Sequence, residues 1–154
     1  MKRVFAAAIA ALGMAGCLET PQTPDDVRSH SWTTTSTITV NRSVDTTIST
    51  VSRRARTCLN FGVTTQWIGP AMLANVNDSY RTSRQGNSLI MEHFNPDNIG
   101  SPGWYPYIVA DVAQTGAGTT VTTYAGPGNG VFVEAIQSWA NGDMSPCPAD
   151  DLFG

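Results

Sequence analysis

Residues 107–124 read YIVADVAQTGAGTTVTTY. Tyr107–Ala113 and Thr119–Tyr124 are two β-branched, aromatic-bearing runs with alternating side chains, and Gln114-Thr115-Gly116-Ala117-Gly118 separates them. A glycine-rich link this short reverses the chain but cannot carry a crossover, so the two runs pair antiparallel. The same design recurs upstream in residues 80–94, YRTSRQGNSLIMEHF, around Gln85-Gly86-Asn87. Further out, Leu59, Phe61, Val63, Thr65 and Trp67 alternate until Gly69-Pro70 stops them. Trp32, Thr34, Ser36, Ile38 and Val40 share one face of an earlier strand, with threonines opposite. Residues 71–78 read as a loop or short helical turn, and Asn95 to Gly103, with two prolines and two glycines, as a loop.

Between the first two strands the period changes. Val44, Ile48, Val51, Ala55 and Leu59 recur at spacings of 4, 3, 4 and 4, one face of a helix, with Ser43 as N-cap and Asp45 in the first turn. The threonines and valines favour a strand by propensity, but packing of a periodic apolar face usually overrides that preference. Arg53, Arg54 and Arg56 fall in the last turns, where cations suit the helix dipole; an anion site is the alternative reading of the same residues. After Gly126-Pro127-Gly128 a last helix runs from about Gly130 to Ala140, with Phe132, Ala135, Ile136 and Trp139 as its stripe and Asn141-Gly142 as its stop. The expectation is an α+β fold: an antiparallel sheet of about five or six strands with two helices on one face, in the order β-α-β(4–5)-α. That order resembles the helix-grip arrangement, in which a curved sheet wraps a terminal helix.

The N-terminus is a separate unit. Lys2 and Arg3 precede an apolar stretch from Val4 to Leu12, which is too short to span a bilayer and fits the middle of a signal peptide. Met14-Ala15-Gly16-Cys17 then resembles the bacterial lipoprotein lipobox, with Met14 where leucine is commonest. The resemblance implies cleavage before Cys17, diacylglycerol on its sulfur and an acyl chain on its new amino group. An ordinary secretory signal with an incidental thiol is the competing reading. Lipoproteins of this kind are kept at the inner membrane mainly by an aspartate after the cysteine. Leu18 and Glu19 follow here, so the resemblance implies an outer-membrane protein facing the periplasm. Residues 1–16 are then the signal peptide, 17–31 a flexible tether, 32–148 the globular domain and 149–154 a tail.

Charge narrows the partners. Losing Lys2 and Arg3 removes two of nine cationic residues and none of the 12 acidic ones, which moves the formal charge from −3 to −5. An acidic mature chain does not bind nucleic acid or anionic lipid through its overall charge. Its membrane attachment rests on acyl chains, which hold stably when two or more are present. If Cys17 is lipidated, Cys58 and Cys147 remain as an even pair in an exported protein, where a disulfide is the default. Free thiols, or a metal site with His30 and His93, are the alternatives, but no ligand spacing of zinc type is present. The segment from Trp139 to Asp143 with Cys147-Pro148 resembles the C-terminal end of small proteobacterial lipoproteins, a resemblance that implies a scaffold and carries no activity.

The chain lacks a nucleophile-elbow motif, and Gly126-Pro127-Gly128-Asn129-Gly130 lacks the spacing of a phosphate loop. Glu92 and His93 are neighbours on a strand and point to opposite faces, so they form no dyad. Trp104, Tyr105 and Tyr107 are the candidate rim for a ligand or partner. Neither a cofactor nor a metal is expected. The reading is a non-catalytic, lipid-anchored interaction or structural module of the cell envelope with an envelope protein as its partner. The alternatives are a binder of a small apolar ligand between sheet and terminal helix, and remotely a hydrolase. An apolar cavity lined by Trp67, Tyr107, Phe132 and Trp139 would favour the ligand binder, and a filled core there the interaction module.

Overall fold

The computed structural model describes residues 20–60, 62–69, 72–95, 102–116 and 118–148, with the backbone alone over 62–78. The signal segment, Cys17, the 149–154 tail and most of the loop expected after Asn95 lie outside these residues.

The elements are α1 (Pro24–Ser29), β1 (Thr34–Val40), α2 (Val44–Cys58), β2 (Gly62–Gly69), β3 (Met72–Gln85), β4 (Ser88–Asn95), β5 (Gly103–Thr115), β6 (Gly118–Ala125) and α3 (Gly130–Asn141). The six strands form one antiparallel sheet in the order β1-β6-β5-β4-β3-β2. This is the expected α+β class. Both short links expected to be turns are turns, with positive φ at Gly86 and Gly116. Helix α2 carries the chain from β1 on one edge to β2 on the other.

One face of the sheet holds the main core. Val40, Leu89, Met91, Ile108, Ala110, Val112 and Val121 meet Ile48, Val51, Ala55 and Leu59 of the α2 region and Phe132, Ala135, Ile136 and Trp139 of α3. The stripe read from the sequence of α2 is the face it buries. Ser43 caps the helix by accepting from the Thr46 N–H at 3.2 Å. Gly142 ends α3 at φ 98°, its N–H donating to the Trp139 carbonyl while the Asp143 N–H reaches that of Ser138. It is this left-handed conformation that calls for glycine; a Cβ there would meet only the mobile end of the Arg42 side chain, which can move aside.

Two stretches depart from expectation. Residues 72–78 belong to β3 and pair with β2 over the whole strand, from Met72 opposite Gly69 to Ser79 opposite Gly62. Asn75, Asn77 and Asp78 are poor strand formers, and continuous pairing overrides that local preference. Residues 24–29 are helical, which corrects the expectation of a flexible tether there. Thr23 accepts from the Asp26 N–H, and the Asp26 carboxylate accepts from the Thr23 N–H, a complete capping box with Pro24 in the first turn. A helix of six residues is not stable alone. It persists because it docks on β5 and β6, on the face away from α2 and α3. There Val27 is fully buried, and Ile90 and Val109, a cross-strand pair, are buried on the sheet face that alternates with the main core.

The disulfide is present. Cys58, the last residue of α2, is bonded to Cys147 beyond α3, 89 residues apart in sequence, with Cα atoms 5.2 Å apart. It ties together the ends of the two helices that cover the core.

Candidate functional site

Register decides where the expected rim residues go. Met91 pairs with Ile108 but Glu92 pairs with Pro106, so Tyr107 is an extra residue, a β-bulge. Pro106 has no N–H to give the ladder, which makes a bulge its natural place. The bulge leaves Tyr107 and Ile108 both against the main core. Trp104 and Tyr105 pair with Phe94 and His93 and, as strand neighbours, face opposite ways. Trp104, Tyr105 and Tyr107 therefore do not form one rim.

On the core side, Tyr80 stacks on His93 at 4.9 Å between ring centroids and meets the edge of Tyr107 at 5.8 Å, and Tyr107 meets Phe132 at 6.4 Å. Tyr105 is buried beside this group. The Tyr107 hydroxyl is enclosed and has no hydrogen-bond partner among the described residues. Burial, seconded by Tyr80, raises its ionisation far above the usual phenol range, so it stays neutral and protonated. His93 stacks on Tyr80, and its chain neighbour Glu92 lies on the other face, held by Arg81.

On the opposite face, Arg81 grips Glu92 through two bonds, Nε to Oε2 at 2.8 Å and Nη2 to Oε1 at 3.1 Å. The same guanidinium lies 4.3 Å from the Trp104 ring centroid, and Trp104 is 5.4 Å from Phe94. An aromatic pair with a fixed cation, half-open to solvent, is the composition that anchors protein contacts. The Arg81–Glu92 pair was legible once the turn was placed: counting outward from Gln85 opposite Ser88 puts position 81 opposite 92. The cluster with Trp104 was not, because the bulge resets the β4–β5 register.

The groove between sheet and terminal helix is occupied by side chains where it is described. Ile136 and Trp139 are fully buried and Phe132 nearly so, and the Trp139 indole donates to the Pro146 carbonyl at 2.8 Å. The side chain of Trp67 lies outside the described residues. At the start of α3 a cleft of about 350 Å³ is lined by Gly126–Gly130, Thr34, Ser36, Glu134 and Gln137. The Asn129 side chain is spent on the Gly126 carbonyl at 3.1 Å, and Glu134 brings negative charge, so this glycine-rich turn is not suited to phosphate. Among the described residues no three His, Cys, Asp or Glu side chains converge as a metal site. None of the described helices is long and apolar enough to cross a membrane. No protein-family model and no curated protein matches this chain.

Proposed function

We propose that this protein is a lipid-anchored module of the cell envelope, held at the outer membrane through acyl chains on Cys17, facing the periplasm, and acting without catalysis by binding another envelope protein. The observation that carries this reading is the contrast between the two faces of the sheet. The helix-covered side is filled by Phe132, Ile136 and Trp139, which supports an interaction module over a binder of small apolar ligands. The other side presents Arg81, Phe94 and Trp104 as a partly open aromatic–cation cluster. The lipobox supports the anchor. Docking of α1 seven residues after Cys17 supports a body held close to the membrane, since that span reaches about 25 Å at most.

The test is photo-crosslinking in intact cells, with a photoreactive residue at Trp104 and, as control, at the exposed Thr57 on α2. A discrete protein adduct at position 104 that is absent at 57 is the expected outcome. Equal diffuse labelling at both positions would contradict the role assigned to this face.

A further inference from the structure

We propose that the cleft between α2 and the β3–β4 hairpin binds a small ligand through a phosphate group. The cleft holds about 320 Å³ and is lined by Ser52, Arg56, Thr82, Ser83, Arg84 and Leu89. Ser52 is 2% exposed, and its Oγ has no hydrogen-bond partner among the described residues. That is anomalous for a helical hydroxyl, which ordinarily bonds back to the preceding turn. Two other hydroxyls of α2 do so, Thr47 to the Ser43 carbonyl at 2.9 Å and Thr57 to the Arg53 carbonyl at 3.3 Å. A buried donor left unmet is costly, and a ligand in the adjoining cleft removes the cost.

The charge around it has one sign. Arg56 is fixed by Nε to the Ser52 carbonyl at 3.3 Å, and Arg84 by Nε to the Gly86 carbonyl at 2.7 Å. Neither has a carboxylate partner among the described residues, whereas Arg28 and Arg81 both do. Each therefore keeps its terminal N–H groups for a ligand, one from the helix and one from the sheet. With Ser52 lining the same cleft, donors are available from both the helix and the sheet, which suits a phosphate with several acceptor oxygens better than a planar carboxylate that one guanidinium fork satisfies. The volume exceeds that of a bare ion, and the buried Leu89 side chain supplies an apolar wall, so the ligand is a phosphate monoester with a small organic body. The net negative charge of the mature chain opposes adhesion to an anionic surface, but not capture of one phosphate between two unpaired arginines.

The experiment uses the full chain, labelled with nitrogen-15, in micelles of a non-ionic detergent. Inorganic phosphate and glycerol 3-phosphate are titrated at constant ionic strength against chloride, and separate micelles are doped with phosphatidic acid or phosphatidylcholine. Saturable amide shifts at Ser52 and 82–84 with the phosphates, and none with chloride, are expected. Arg84→Gln and Ser52→Ala should each weaken the affinity about tenfold or more, as loss of a charge-assisted bond or a buried donor implies. Arg84 is exposed and Ser52→Ala removes an unpaired polar atom, so neither change threatens the fold. Shifts with phosphatidic acid but not with free phosphates assign the phosphate to a lipid headgroup, and shifts with both assign it to either source. Absence of shifts with every phosphate probe, or binding that survives either substitution unchanged, overturns the proposal.

Discussion

Asp111 keeps its charge in a half-buried position on β5. Desolvation is the largest influence on it and pushes its carboxyl up, but the hydrogen bonds from Arg28 and Ser88 and the charge of Arg28 together outweigh it and hold the carboxyl below its ordinary value. Arg28 reaches Asp111 by two bonds, Nε to Oδ2 at 2.8 Å and Nη2 to Oδ1 at 2.7 Å, and Ser88 adds a third at 2.6 Å. A lowered native-state pKa stabilises the fold above the unfolded value near 4, and that contribution is lost as pH falls through the native value. Arg28→Gln should cost about 1–3 kcal/mol at neutral pH by stripping a charged hydrogen-bond pair. In urea unfolding, the gap between wild type and variant should narrow below about pH 4 as Asp111 protonates. A gap that stays constant down to pH 2 would separate Arg28 from this carboxylate. None of this pair was legible in sequence, because 83 residues separate the partners and the first sits in a stretch too polar to look folded.

At the scale of elements, the sequence reading succeeds where periodicity and turn chemistry agree and fails where docking supplies the stability. Helix α2 was legible despite its threonines, because the face made by Ile48, Val51, Ala55 and Leu59 is what meets the core. Helix α1 was not, although Thr23-Pro24-Asp25-Asp26 spells a helix start, because a single buried Val27 gives no period to detect. The disulfide between α2 and the segment beyond α3 closes a long loop, worth roughly 4–5 kcal/mol on the chain-entropy account. Cys147→Ser should therefore destabilise the protein by roughly 2–5 kcal/mol and leave Cys58 as a thiol. The check is chemical unfolding paired with thiol labelling of the denatured, unreduced wild type, in which neither Cys58 nor Cys147 should react until a reductant is added. Labelling of both beforehand would contradict the bond. The Trp139 indole bond to Pro146 keeps part of the segment on the core, so the loss should fall mainly on the end of α2.

For the whole molecule, composition and charge excluded more than they assigned. An acidic chain with two turn-linked strand pairs and two amphipathic helices was readable as an α+β domain. The surfaces were not, because the aromatic–cation cluster and the arginine-lined cleft each join side chains from different elements, and their meeting depends on a bulge and on how α2 crosses the sheet. The folded body starts a few residues after Cys17, with α1 pinned to the sheet face away from α2 and α3. On the proposed acylation of Cys17, membrane attachment is expected to be indifferent to the Cys58–Cys147 bond. The most direct test is mass spectrometry of the N-terminal peptide released by protease from the membrane-bound protein. The expected result is a chain beginning at Cys17 whose mass carries a diacylglyceryl group and an amide-linked acyl chain. A peptide with an unmodified cysteine at position 17, or a mature chain cut elsewhere and recovered in the soluble fraction, would contradict it.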